Sequence, residues 1–123
     1  RWISQIQRGG DVFGMMEVAA HPDIVVHLPD GATGGLDSWR QYGAILRTAF
    51  PDLTAALESL TVADDRILMQ MELQGTQTGP LDVVAPTNRQ VTSPAATVTR
   101  LDETGRIVEM WVYLNMAAAI FRQ

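Results

Sequence analysis

The sequence predicts an α+β domain in which N-terminal helices pack on one face of a curved antiparallel sheet. Three observations carry that prediction. Helical spacing of apolar residues is clearest within the first fifty positions. Strict two-residue alternation follows, clearest where Ile67, Met69, Met71 and Leu73 interleave with Leu68, Gln70, Glu72 and Gln74. Turn formers at Ala63-Asp64-Asp65 and Asp102-Glu-Thr-Gly105 then link neighbouring strands directly. Helices first and a strand meander second is an α+β layout, and a strongly curved sheet wrapped on helices leaves a cone-shaped apolar pocket at one end, a shape that small-molecule sites favour.

Each element has a local cause. Trp2, Ile3 and Ile6 suggest the end of an amphipathic helix over residues 2–8, begun before Arg1 and stopped by Gly9-Gly10. Asp11 suits an N-cap, and Val12, Met15, Met16 and Ala19 share the face of the next helix. Pro22 restricts His21 and should end that helix. Ile24 to Leu28 reads as a buried strand, and Pro29 to Gly35 as a loop. From Leu36 to Phe50 the helical pattern is strong, with Leu36, Trp39, Tyr42, Gly43, Leu46, Ala49 and Phe50 on one side; Pro51 closes it. Strands are expected over 53–62 and 67–74. The connection 76–88 is long enough to suggest a functional loop. Residues 89–101 are strand-like, with Pro94 forcing a bulge or an edge. The 102–105 turn makes a hairpin with 106–114, and Asn115 can cap a terminal helix running through Phe121.

Composition bounds the function. At 123 residues, 46% hydrophobic and 19% charged, the chain fits one globular domain spanning 1–123. The net charge is −5 and no Lys or Arg run occurs, which argues against nucleic acid or an anionic membrane surface as partner. Cys is absent, so there is no thiol nucleophile and no Cys-ligated metal. No apolar run approaches the ~20 residues that span a bilayer, and no secretory pattern is visible. A cytoplasmic protein needing no cofactor is expected.

Several words of sequence, in order and over most of the chain, carry a resemblance. They are Ala49-Phe-Pro-Asp-Leu53, Asp64-Asp-Arg66, Gly75-Thr-Gln-Thr-Gly79, Pro86-Thr-Asn-Arg-Gln-Val91 and Asp102-Glu-Thr-Gly-Arg-Ile-Val-Glu-Met-Trp-Val-Tyr113. Together they resemble the SnoaL-like polyketide cyclases of the nuclear-transport-factor-two-like superfamily. The resemblance implies a cystatin-like α+β barrel, a hydrophobic small-molecule ligand and a homodimer paired through exposed sheet faces. It also implies a cofactor-free reaction in which a carboxylate takes a proton from an activated carbon and starts an intramolecular aldol closure. Three positions depart from the family pattern by replacing a titratable group with a neutral one: Gln77 for His, Thr97 for Asp and Asn115 for Asp. Asn cannot accept that proton, because its amide is not basic near neutral pH.

The candidate site residues follow, each beside its plainer role. Imidazoles titrate near neutrality, so His27 is the leading acid–base candidate, against a hydrogen-bonded rim histidine. Asn115 could orient a ligand carbonyl or simply cap its helix. Strand alternation puts Trp111, Tyr113 and Asn115 on one face, where Tyr113 could donate to a developing enolate. Trp39, Tyr42 and Trp111 are core aromatics that a cone would also use as pocket wall, and Met71 suits a pliable apolar cavity. Gln77 and Thr97 are ligand-contact candidates by position in the resemblance. Asp23 and Asp30 read first as turn residues, yet either supplies a carboxylate if its loop folds over the cavity. His21, Asp23 and His27 form a two-His, one-carboxylate set, but strand rise separates Asp23 from His27 by about 13 Å, so no metal is expected. Two functions fit: a cyclase or isomerase in which His27 moves protons while Asn115 and Tyr113 polarise a carbonyl, or a binding module that has lost its catalytic carboxylate.

Overall fold

The longest ladder in the molecule joins the two most regularly alternating segments, from Arg66 opposite Arg100 to Thr76 opposite Gln90. The computed structural model describes residues 14–121, and the helix expected over 2–8 and the Asp11 cap lie outside them. In chain order the elements are α1 (Met15–Ala19), β1 (Ala20–His27), β2 (Thr33–Gly34), α2 (Leu36–Ala49), β3 (Thr54–Ala63), β4 (Arg66–Thr76), β5 (Gln90–Leu101), β6 (Ile107–Tyr113) and α3 (Met116–Ile120). The six strands form one curved, unclosed sheet in the order β2-β1-β6-β5-β4-β3. Register slips between Leu57 and Ser59, and between Arg100 and Leu101, mark irregularities of the kind that bend strands.

Three expectations need correction. It is mixed rather than wholly antiparallel, because β1 runs parallel to β6, with Val26 opposite Met110 and His27 opposite Trp111. The short β2, hidden in the glycine-rich 31–35 stretch, pairs antiparallel with β1. Pro22 does not mark the end of a helix either. The helix stops at Ala19, and Pro22 sits inside β1, where pairing with β6 jumps from Ala20 to Val25. Pro94 causes no bulge against β4, where it stands in register with Glu72. On the other side of β5 the β6 ladder begins only at Ala96, so Pro94 occupies a local edge.

Alternation decides what is inside. Ile67, Met69, Met71 and Leu73 of β4 point into the core with Val91 and Ala95 of β5, Met110 and Val112 of β6, and Ile24 and Val26 of β1. Leu46, Ala49 and Phe50 from α2 and its end, and Met116, Ala119 and Ile120 from α3, belong to the same cluster. Complete burial of Phe50 stabilises the fold by about 1.5–3 kcal/mol relative to exposure.

The ends of the elements are set by short polar contacts. Asn115 caps α3 by accepting a 2.9 Å hydrogen bond from Ala118 N at Oδ1. The β5–β6 turn is built on Asp102, whose Oδ1 accepts from Thr104 N, Thr104 Oγ1 and Arg106 N at 2.7–3.0 Å. Gly105 follows at φ +85°, a conformation that favours glycine.

Candidate functional site

One end of α2 faces two loops and the start of α3 across an open cavity of about 790 Å³. The walls come from four segments: Tyr42, Ile45, Leu46 and Thr48 of α2, Pro29 and Asp30, Pro80 to Asp82, and Leu114 to Ala117. The surface is mainly apolar, with Asp30, Tyr42, Thr48, Asp82 and Asn115 as its polar side chains.

Local structure positions each of these polar groups. Asp30 sits at the tip of a turn closed by Gly31 N to Leu28 O (3.0 Å) and Leu28 N to Ala32 O (2.8 Å). Its Oδ1 accepts from Ala32 N at 2.9 Å, an Asx-type contact that fixes the carboxylate. Tyr42 lies on the inward side of α2, half-buried. Burial, and secondarily the negative charge of Asp30, push its phenol up to about 12, so it keeps its proton and can donate throughout the neutral range. Asn115 uses Oδ1 for the cap, which fixes the amide and leaves its NH₂ group as a donor.

The structure therefore brings together Tyr42, Asn115 and Asp30 of the residues singled out in the sequence. The others stand elsewhere. Trp39 is half-buried against the core, outside the cavity lining. Met71 and Thr97 point into the core from the inner sheet face. Thr97 is 7% exposed, and its Oγ1 has no hydrogen-bond partner. Gln77 is 0% exposed and outside the cavity lining: its Oε1 accepts from Thr87 N (3.2 Å) and Thr87 Oγ1 (2.8 Å), and its Nε2 donates to Ala85 O (3.1 Å).

His27, Trp111 and Tyr113, expected in the pocket, lie on the opposite face of the sheet from the core and outside this cavity's lining. Strand parity is the reason. Burying Ile24 and Val26 turns His27 outward, and burying Met110 and Val112 turns Trp111 and Tyr113 outward. Asn115 does not share their face because the strand ends at Tyr113 and the backbone there departs from alternation (φ −149°, ψ 82°). On that outer face His27 stacks on Trp111 with ring centroids 5.1 Å apart. Its Nε2 donates to Glu109 Oε2 at 2.7 Å, and Arg100 Nε donates to Glu109 Oε1 at 3.2 Å. The Arg66 guanidinium lies over Trp111 at 5.1 Å. Hydrogen bonding from His27, with a smaller contribution from Arg100, holds the Glu109 carboxyl below its usual range.

Sequence reasoning missed Asp82 and Ile45 as cavity-lining residues. For Asp82 the available signal was the unusual length of the 76–88 connection; Ile45 gave none, because its position falls off the apolar face of α2. His21 Nδ1 accepts from Asp23 N at 3.0 Å, and no group of three or more His, Asp or Glu among the described residues is placed to hold a metal. No described helix is long and apolar enough to cross a membrane.

With this geometry in place, the comparisons with known proteins fall into line. The sequence matches the family model described as SnoaL-like polyketide cyclase over residues 9–123. No curated protein matches it. Among solved structures, a provisionally assigned SnoaL-like polyketide cyclase of Jannaschia sp. CCS1 superposes with a TM-score of 0.80 at 23% identity, covering 97% of this chain and 88% of that one. IdmH of Streptomyces antibioticus, a provisionally assigned polyketide cyclase, gives 0.75 at 23% identity, covering 96% and 91%. TerC, crystallised with polyporic acid, gives 0.66 at 14% identity, covering 95% and 88%. At these identities the structural likeness speaks for the fold.

Proposed function

The chain belongs to the SnoaL-like polyketide cyclase family, and on that premise we propose that it is a cofactor-independent cyclase or isomerase of a small, hydrophobic, polyketide-like carbonyl compound bound between α2, the 29–30 turn and the 80–82 loop. The observation that carries the reading is the pairing of Asp30 with a Tyr42 phenol kept protonated in a mainly apolar cavity. His27 belongs to the other face of the sheet, so Asp30 takes the role of base. Its carboxylate removes a proton from the carbon next to the ligand carbonyl, and the electrons of that C–H bond become an enolate. Tyr42 O–H and the Asn115 amide donate hydrogen bonds to the enolate oxygen. In a cyclisation the enolate carbon attacks a second carbonyl of the same molecule, forming a C–C bond and an alkoxide. The alkoxide then recovers the proton from Asp30, leaving the enzyme unchanged.

The test is exchange of the α-protons of 2-tetralone in deuterated water, followed by NMR above the uncatalysed rate. Asp30→Asn should lower the rate by about 10²–10⁴, the range of general-base catalysis. Tyr42→Phe should lower it by less. Equal rates in wild type and Asp30→Asn would remove Asp30 from the mechanism.

A second reading, a binding module without turnover, is favoured by the neutral residues at 77, 97 and 115 and by the exposed position of Asp30. It expects saturable binding of the same ketone with no exchange above background. Both readings take the protein to be a cytoplasmic homodimer that pairs through the outer sheet face, where Tyr113 is 56% exposed. Light scattering of Trp111→Asp against wild type checks the dimer: a unimer in both would dismiss it.

A further inference from the structure

The 77–89 loop is built around one side chain. Its ends are joined by Gln77 N to Arg89 O (2.9 Å) and Asn88 N to Gln77 O (2.8 Å). Its tip is closed by reciprocal bonds between Leu81 and Val84 at 2.8–2.9 Å. Between ends and tip the Gln77 side chain fills the inside of the loop, holding Ala85 O, Thr87 N and Thr87 Oγ1 at once. That set requires an acceptor with two free lone pairs and a donor on the same short side chain, which an amide supplies and an aliphatic residue does not. The outside of the loop is docked on the end of α2, where Thr78 N and Gly79 N both donate to Ala49 O at 3.1 and 3.2 Å. A Cβ at Gly79 would collide with Thr48 O, so the backbone approaches α2 as closely as glycine permits. The part of the loop so fixed, Pro80 to Asp82, is one wall of the cavity.

We propose that Gln77 is the positioning residue of this site: by holding the 77–89 loop from within, it fixes Leu81 against the cavity and thereby sets the largest ring system the cavity admits. Gln77 touches no ligand and acts through Leu81, which is 7% exposed and joins the core cluster. The inference rests on the cavity being the ligand site and is independent of whether Asp30 turns the ligand over.

Two neutral fluorescent probes of different length, N-phenyl-1-naphthylamine and 1,6-diphenyl-1,3,5-hexatriene, are titrated into wild type, Gln77→Ala, Thr87→Val and Leu81→Ala. Amide hydrogen exchange is followed over 80–85. Gln77→Ala and Thr87→Val should speed exchange of the Leu81 and Val84 amides at least about tenfold and weaken N-phenyl-1-naphthylamine at least about fivefold. Leu81→Ala should leave exchange at Val84 within about threefold and shift the affinity ratio at least about fivefold toward the longer probe. A merely structural role for Gln77 would alter exchange and unfolding while leaving that probe ratio alone. Faster loop exchange in Thr87→Val, with the probe ratio unchanged in both Thr87→Val and Leu81→Ala, overturns the proposal, even if Gln77→Ala fails to fold. Asp30→Asn, carried alongside, separates the two readings: loss of ketone exchange with normal probe binding speaks to catalysis alone.

Discussion

Two clusters of this molecule combine an aromatic ring with a carboxylate, and they sit on opposite faces of the sheet. On the outer face Glu109 is met by His27 on one oxygen and by Arg100 on the other, while Trp111 lies between the imidazole and the Arg66 guanidinium. Both carboxylate oxygens of Glu109 are thus met within the protein. At the cavity, Asp30 receives one backbone hydrogen bond, and among the described residues no Lys, Arg or His joins it in the lining. Burial raises the neighbouring Tyr42 phenol, and the Asp30 charge adds to that rise. The contrast separates a carboxylate engaged by two side chains from one held by a single backbone hydrogen bond. Glu109, stabilised in its ionised form, is a poorer proton acceptor for the same reason that it is a good ion-pair partner.

The largest expected effect sets the two clusters against each other directly. Asp30→Asn should reduce ketone α-proton exchange by about 10²–10⁴, whereas His27→Ala should change it less than about threefold. The opposite ranking in the NMR exchange assay would transfer the chemistry to the outer face.

Adjacent residues of β6 sharpen the comparison in stability. Met110 is buried on the inner face, so Met110→Ala should cost about 2–5 kcal/mol in urea unfolding, the range for truncating a core side chain. Trp111, one residue on and half-buried outside, should cost less on truncation to Ala, through loss of its ring contacts with His27 and Arg66. Equal costs would mean that the outer cluster is as integral to the fold as the core.

The same parity explains what the sequence revealed and what it concealed. Period-two alternation made β4 and the β5–β6 hairpin legible, because one buried face repeats every second residue. Helical spacing did the same for α2, and the run of apolar residues after Asn115 for α3. Alternation alone does not say which face is inner, and His27 and Tyr113 are chemically suited to either. The absolute side is set by which neighbours bury, here Val26 beside His27 and Val112 beside Tyr113. Loop-borne cavity residues were harder still. The position of Asp82 depends on how a long connection folds back on α2, a non-local contact with no periodic signature. Gln77 read as a ligand-contact position standing where the resemblance has a titratable group, and in the structure its donor and acceptor atoms are engaged within its own loop.

A smaller effect is expected where the two regions meet, at the end of β6. Asn115→Ala removes the cap of α3 and should destabilise the protein by about 1 kcal/mol in urea unfolding. Since Asn115 also lines the cavity, the same change should weaken ketone binding a few-fold. Asn115→Asp preserves the capping acceptor but loses the amide donor, so stability retained with binding reduced would assign the two roles to the two halves of one side chain.

The smallest effect tests whether the outer cluster is held together by charge. Glu109 has a folded carboxyl held below its ordinary 4.5, so the folded state binds its proton more weakly than the unfolded state does. By linkage its stabilisation is complete above about 4.5 and is lost as pH falls through the lowered folded value. The free-energy gap between wild type and Glu109→Gln should therefore be widest near pH 6–7 and narrow toward pH 3. The side chain is partly exposed, so added salt should shrink the gap as well. A gap that widens on acidification would mean that Glu109 contributes by packing or as a neutral hydrogen-bonding group. The outer cluster would then no longer be the saturated ion-pair site against which Asp30 stands out.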